Sequence, residues 1–169
     1  MLTKNLYEYC NISSEIGDII KNKATAYEYL ITKSFESHFN NTNDKLDLFP
    51  IIENSFGIHI TPDLILCLSK ITNVVVIIEI KYFENSSSTK KNARKQARQQ
   101  MDEYVKAYKQ KFDNKILMPL FITQNSYLDQ YPEYPCLIIS SKEINEINLD
   151  TAIIDKINKY LKNLKTIID

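Results

Sequence analysis

The feature that most constrains this chain is a pair of charged residues at the end of its most apolar stretch. Residues 74–78 are all Val or Ile, and Glu79 and Lys81 follow with only Ile80 between them. Such a run predicts a strand that is covered on both faces. Strand side chains alternate, so Glu79 and Lys81 point the same way. Because an unpaired buried charge is costly, we expect these two side chains to have a partner or a bound cation.

A second carboxylate lies on the preceding predicted strand. If residues 58–68 and 74–83 form a hairpin centred on Ile71, Asp63 and Glu79 are equally far from its centre and become cross-strand neighbours, with Cβ atoms about 5 Å apart. A shift of one residue would separate them. Two carboxylates and a lysine arranged in this way are suited to metal-assisted phosphodiester hydrolysis. The simpler alternative is a surface salt-bridge cluster at a strand end.

Hydrophobic periodicity predicts one α/β domain over residues 1–169, with a core at about 24–123 and a C-terminal strand and helices at 136–168. The predicted helices are 13–22, 24–39, 88–112, a short helix opened by a capping box at Ser140 and Glu143, and a final helix capped by Asp150. The predicted strands are 46–53, 58–68, 74–83, 116–123 and 136–140. This order gives a mixed sheet of about five strands, a meander followed by a crossover helix, with helices on both faces.

The composition narrows the function classes. The chain has 169 residues, with 21 Lys and Arg against 21 Asp and Glu, which excludes a polybasic protein and restricts nucleic-acid binding to a local patch. Its 2 glycines exclude glycine-rich phosphate loops. Its 3 cysteines form no CxxC pair, which argues against a zinc ribbon and favours a reduced, cytoplasmic protein. The longest apolar run is far too short to span a membrane, and the first residues do not resemble a secretory signal.

Pro62-Asp63, followed on the next predicted strand by Glu79-Ile80-Lys81, resembles the signature of the PD-(D/E)XK nuclease superfamily. Gln100 and Tyr104 resemble the QxxxY motif of its RecB-like and lambda-exonuclease-like branch. The resemblance covers about residues 24–123 and implies a restriction-endonuclease-like core. It also implies that Asp63, Glu79 and the Ile80 carbonyl bind Mg²⁺ (or Mn²⁺), and that Lys81 assists the attacking water.

The family often has an acid on its first helix. Glu28 resembles that residue, Glu36 is the rival candidate, and we favour Glu28. The RecB-like branch often has a histidine on this helix too. Neither His38 nor His59 matches it, and we interpret both as ordinary surface or core residues.

Several residues are candidates for contact with nucleic acid. One face of the long predicted helix packs on the sheet, and Gln100 lies at the edge of that face, towards the predicted carboxylates. The candidate phosphate contacts on another flank are Lys91, Arg94, Lys95 and Arg98. Tyr104 joins the nucleic-acid contacts, although we expect its ring to be mostly buried. Three loop residues, Tyr127, Tyr131 and Tyr134, can stack on bases, but we favour a role in covering the core.

The sequence therefore predicts a Mg²⁺-dependent deoxyribonuclease that acts in restriction, repair, recombination or mobile-element or viral DNA processing. Two alternatives stay open: a catalytically silent nucleic-acid-binding or structural module on the same fold, and an enzyme acting on RNA. Whether cleavage would be endonucleolytic or exonucleolytic stays open as well. The final helix has two candidate partners, its own sheet and a second copy in a homodimer, and we favour its own sheet.

Overall fold

Seven strands and three helices make up the part of the chain that the computed structural model describes, residues 16–40, 42–83, 89–124 and 134–168. In chain order the elements are α1 (Ile16–Phe39), β1 (Lys45–Leu48), β2 (Ile52–Glu53), β3 (His59–Ile60), β4 (Leu64–Cys67), β5 (Val74–Lys81), α2 (Thr89–Lys111), β6 (Ile116–Thr123), β7 (Cys136–Ile138) and α3 (Leu149–Ile168). None of these helices has the length and apolarity needed to cross a membrane.

Five of the strands form one mixed sheet in the order β1-β4-β5-β6-β7. β1, β4 and β5 pair antiparallel, whereas β5, β6 and β7 pair parallel, with α2 connecting β5 to β6. The predicted α/β class, the meander and the crossover helix are confirmed. β5 and β6 are apolar over nearly their whole length because helices cover both of their faces.

The two faces of the sheet have separate cores. α1 and α3 cover one face, where Phe35 and Ile153 pack with β5 residues such as Ile78. α2 covers the other face, where Met101 packs with Ile77. The final helix therefore packs on its own sheet, as favoured from the sequence.

The helical boundaries differ from the prediction at two places. The helices predicted at 13–22 and 24–39 are one helix over the described residues, because neither Gly nor Pro interrupts residues 22–24. Residues 13–15 lie outside the described part. Half of the predicted capping box forms, since Glu143 Oε2 accepts the Ser140 N–H at 3.4 Å. The Ser140 hydroxyl donates to the same oxygen at 2.6 Å, and residues 141–146 make turns and no helix. Asn148 caps α3 by accepting the Thr151 N–H, whereas Asp150 pairs with Lys70.

The first two predicted strands, 46–53 and 58–68, are each interrupted in the structure. The strand predicted at 46–53 ends at Leu48, because Phe49 adopts a left-handed φ of 46° and Pro50 follows it. The strand predicted at 58–68 is broken around Pro62. The two outer pieces, β2 and β3, pair with each other as a separate two-stranded sheet. A hydrogen bond connects the two interrupted segments: the Phe49 N–H donates to the Asp63 carbonyl at 2.8 Å.

Candidate active site

The register of β4 and β5 brings Asp63 beside Glu79. The pairs Leu64–Ile78 and Leu66–Val76 confirm the hairpin centred on Ile71. Asp63 directly precedes β4, and its Oδ2 accepts a 2.6 Å hydrogen bond from the Ile80 N–H. The Asp63 carboxylate is therefore fixed against the backbone of β5, next to the residue that bears the second carboxylate.

The two carboxylates share a desolvated environment. Glu79 is 3% exposed and Asp63 is half-buried. Burial, followed by the nearby charge of Glu79, raises the pKa of Asp63 to about 7. Burial also raises the pKa of Glu79, against the opposing effect of the Lys81 ammonium group. A pair of this kind is costly while both members are ionised, so a bound cation would stabilise it.

A chain of hydrogen bonds extends from Glu79 to α2. Lys81 Nζ donates to Glu79 Oε1 at 2.6 Å and to Gln100 Oε1 at 3.3 Å. The Gln100 amide in turn donates to the Tyr104 hydroxyl, which donates to the Thr61 carbonyl at 3.1 Å. Gln100 thus lies on the Glu79 face of the sheet, as its helical position predicts. The chain holds the Lys81 ammonium between the second carboxylate and a neutral amide.

Glu28 is the first-helix acid that acts on this pair. Its negative charge contributes to the raised pKa of both Asp63 and Glu79. Glu36 instead forms a 2.6 Å ion pair with Lys33. Glu28 acts from a distance, since no three Asp, Glu, His or Cys side chains of the described residues lie close enough together to hold one metal ion.

The two histidines lie elsewhere. His59 is exposed and lies 3.8 Å from Glu53. The ring of His38 packs against the ring of Phe39 at 4.8 Å. Among the described residues, these contacts connect neither histidine to Asp63 or Glu79. This agrees with their interpretation as surface or core residues.

The donor atoms at the site fit a hard divalent cation. Glu79 Oε2 is buried and has no hydrogen-bond partner in the described part of the chain. The N–H and C=O groups of a strand residue point to the same side, so the Ile80 carbonyl faces the side on which its N–H binds Asp63. Two carboxylates and one carbonyl provide the oxygen ligands that Mg²⁺ and Mn²⁺ prefer.

The basic flank of α2 is only partly exposed. Lys95 is exposed, whereas Arg94 and Arg98 are half-buried, and the side chain of Lys91 lies outside the described residues. Tyr104 is buried with its hydroxyl bonded inside the protein. The ring is buried as expected, and the assignment of Tyr104 as a nucleic-acid contact is wrong, because its hydroxyl binds Gln100 and the Thr61 carbonyl instead.

The loop tyrosines are only partly described. Tyr134 donates to Asp102 at 2.8 Å and packs its ring on Phe121. This contact agrees with a role in covering the core. Tyr127 and Tyr131 lie outside the described residues.

Two residues that support the site were not found from the sequence. The Gln124 side chain donates to the Phe83 carbonyl at 2.6 Å and accepts the Phe83 N–H at 3.2 Å, so it continues the β5–β6 pairing beyond Lys81. Thr61 contributes only its carbonyl, which no side-chain pattern reveals. For Gln124, a polar residue directly after a buried parallel strand was the available signal.

The chain matches no protein-family model and no curated protein. It is similar in structure to an XisH family protein from Nostoc punctiforme, with a TM-score of 0.47 and 12% sequence identity. The match covers 68% of this chain and 94% of that chain.

Proposed function

We propose that this protein is a Mg²⁺-dependent nuclease that hydrolyses DNA phosphodiester bonds at Asp63, Glu79 and Lys81. One observation carries the proposal: a buried carboxylate oxygen, Glu79 Oε2, has no hydrogen-bond partner among the described residues, and Glu79 lies next to Asp63. A protein retains such an atom at a cost, unless a ligand binds it.

Asp63, Glu79 and the Ile80 carbonyl would hold the cation. When bound, Mg²⁺ supplies a Lewis acid that lowers the pKa of a water molecule and neutralises charge on the phosphate. The hydrogen bond from Ile80 to Asp63 orients one carboxylate before any ligand arrives. This preorganisation avoids part of the cost of assembling the site during the reaction.

Lys81 is proposed to act on the phosphate as the reaction proceeds. Its ammonium group is already bound to Glu79 and Gln100, and its side chain is about one-quarter exposed, so Lys81 lies at the boundary between the buried pair and solvent. A fixed positive charge at this place stabilises the additional negative charge of the pentacovalent transition state. Gln100 and Tyr104 restrict the positions that the ammonium group can take.

The proposed substrate is DNA, bound through its backbone. Lys95 is an exposed cation on the helix that also bears Gln100, and phosphate contacts of this kind give sequence-independent affinity. Restriction, repair, recombination and mobile-element DNA processing all use such an activity.

A substrate panel tests the proposal. Circular and linear DNA, single- and double-stranded, and a matching RNA are incubated with the purified protein in Mg²⁺, in Mn²⁺ and in EDTA. We expect cleavage of DNA with either cation and none with EDTA. Cleavage of RNA alone would show that the substrate is RNA and not DNA. Binding of DNA without any cleavage would show that the protein is a catalytically silent binding module.

A further inference from the structure

A cleft of about 310 Å³ opens between α1 and the end of β1. Glu28 and Thr32 line it from the helix, together with Tyr29, and Phe49 lines it from the segment after the strand. The proposed chemistry at Asp63 and Glu79 does not use this cleft.

The cleft is joined to the two carboxylates through two of its lining residues. Glu28 lines the cleft, and its charge also acts on Asp63 and Glu79. Phe49 lines the opposite wall, and its N–H donates to the carbonyl of Asp63 at 2.8 Å. The cleft therefore adjoins Asp63, the residue that bears the first carboxylate.

Two of the residues that line the cleft are aromatic and accessible. Tyr29 is 58% exposed and Phe49 is 46% exposed. Phe49 is placed there by a left-handed φ of 46°, which is unfavourable for a bulky residue. Unfavourable backbone conformations of this kind occur preferentially at functional sites.

One buried polar atom adds a second, independent observation. Thr32 lines the cleft and is 7% exposed, and its hydroxyl has no hydrogen-bond partner within the described ranges. Buried hydroxyl groups are nearly always paired in folded proteins. The cleft thus offers two aromatic rings and the Thr32 hydroxyl, beside the charged side chains of Glu28, Lys33 and Glu36 that also line it.

We propose that this cleft binds the base of an unpaired nucleotide next to the scissile phosphate. A nucleobase has a flat π-face for Phe49 or Tyr29 and polar edge atoms for the Thr32 hydroxyl. This inference rests on the proposed function, because the carboxylates next to the cleft are the reason for expecting a nucleotide. It makes the protein selective for single-stranded, frayed or flipped positions.

The test uses 2-aminopurine, a base whose fluorescence is quenched by stacking. Single-stranded oligonucleotides that contain 2-aminopurine at one position each are mixed with the protein in Ca²⁺, which allows binding to be measured independently of cleavage. We expect quenching at one position for the wild type. An abasic nucleotide at that position should weaken binding by about 5-fold or more, the effect of losing one stacked base.

The decisive variant is Phe49→Gly. Glycine adopts a positive φ readily, so this change removes the ring without straining the backbone. We expect the quenching and the abasic effect to disappear. Phe56→Ala is the matched control, because Phe56 is 84% exposed and does not line the cleft. It should behave as the wild type.

The possible results separate this inference from the proposed function. Quenching that depends on Phe49 without cleavage in Mg²⁺ would support the base-binding cleft and contradict the nuclease activity. Cleavage with no quenched position, or with equal quenching in Phe49→Gly, would overturn the proposal that the cleft binds a base. It would leave the proposed nuclease activity intact. A dimer that dissociates in Phe49→Gly, with no effect on oligonucleotide binding, would also overturn the cleft and assign the face to a second copy.

Discussion

The backbone N–H of Ile80 is hydrogen-bonded to the side chain of Asp63, with 2.6 Å between N and Oδ2. β4 begins at Leu64, which pairs with Ile78, so this bond forms just beyond the end of the β4–β5 pairing. The carboxylate takes the place that a backbone carbonyl would occupy in a longer ladder. As a result, Asp63 is held beside Glu79 by the strand that bears Glu79.

The first prediction concerns pH and the stability of the metal-free protein. The pKa of Asp63 is raised to about 7 in the folded state, whereas an unfolded Asp titrates near 3.9. Between these values the folded state binds more protons than the unfolded state. The free energy of unfolding therefore falls as the pH rises from about 4 to about 7. Thermal denaturation in EDTA across this range measures the effect.

Isosteric variants identify the groups responsible for this decrease in the free energy of unfolding. Asp63→Asn should make the decrease with pH smaller and should stabilise the protein at pH 7.5. Asp63→Asn combined with Glu79→Gln should make the decrease smaller still. Glu103→Gln removes an exposed carboxylate of α2 and should leave the fall unchanged. Mg²⁺ should raise the melting temperature of the wild type at pH 7.5 and not that of the double variant. A pH profile unchanged in the double variant would contradict the assignment.

The second prediction concerns Lys81. Lys81→Met keeps the aliphatic stem and removes the ammonium group, which is proposed to act in the transition state. Turnover should fall by about 100-fold or more, as is usual when a transition-state donor is lost. DNA affinity measured in Ca²⁺ should change little, and Lys106→Met, at an exposed position of α2, should change neither. An equal loss of affinity and turnover would make Lys81 a ground-state contact instead.

The third prediction concerns the hydrogen bonds of α2. Gln100→Ala should lower cleavage by about 10- to 100-fold with little loss of stability, since its amide only orients Lys81. Gln99→Ala, at the exposed neighbouring position, is the control. The cleavage rates of both variants are measured at saturating Mg²⁺. If Gln100→Ala cleaves as fast as Gln99→Ala, the QxxxY spacing has no functional meaning in this chain.

The fourth prediction separates the ring of Tyr104 from its hydroxyl. Tyr104→Phe removes only the bonds to Gln100 and Thr61 and should cost about 1 kcal/mol of stability. Tyr104→Ala also leaves a cavity in the core and should cost about 3 kcal/mol or more. Urea denaturation of both variants measures the difference. Equal stability losses would show that the ring contributes nothing beyond its hydroxyl.

The fifth prediction concerns the basic flank of α2. Lys91→Gln combined with Lys95→Gln should weaken binding to all DNA sequences, and the slope of log K against log salt should flatten by about 1 to 2. Arg98 is left unchanged because it is half-buried. The charge-matched control is Lys106→Gln with Lys109→Gln, further along the same helix. An unchanged slope in the Lys91 and Lys95 variant would mean that this flank is merely solvated.

The centre of the fold could be predicted from the sequence because its signals are long and local. β6 has the predicted bounds, Ile116–Thr123, and β5 differs by two residues at its end, since continuous apolar runs indicate strands covered on both faces. The turn centred on Ile71 was a supposition, because the same apolar runs also allow a register shifted by one residue. The register centred on Ile71 places Asp63 beside Glu79, and the pairs Leu64–Ile78 and Leu66–Val76 agree with it.

The strand breaks could not be predicted in this way because they depend on a tertiary contact. Phe49 and Asp63 each interrupt a β-prone stretch, and the bond between their backbones stabilises both interruptions. Pro50 and Pro62 indicated irregular backbone nearby, but not the left-handed φ of Phe49. The cleft beside Glu28 follows from this irregularity, and so it was missed as well.

The position of Gln100 on the side of the carboxylates was predicted from a resemblance and from helical spacing together, whereas its contact with Lys81 was not predicted. Spacing alone placed Gln100 at the edge of the packed face of α2, and the motif suggested which edge faces the carboxylates. The Gln124 side chain, which clamps Phe83 at the end of β5, had no comparable motif.

The central claim is that one site, Asp63 with Glu79, binds Mg²⁺ and cleaves DNA. The most direct measurement compares wild type, Glu79→Gln and Phe56→Ala, purified in parallel, for cleavage of a labelled DNA substrate across a Mg²⁺ titration. The account predicts saturable, Mg²⁺-dependent cleavage by the wild type and Phe56→Ala. It also predicts loss of cleavage in Glu79→Gln, with its fold and DNA binding retained. Cleavage by Glu79→Gln at the wild-type rate would contradict the account.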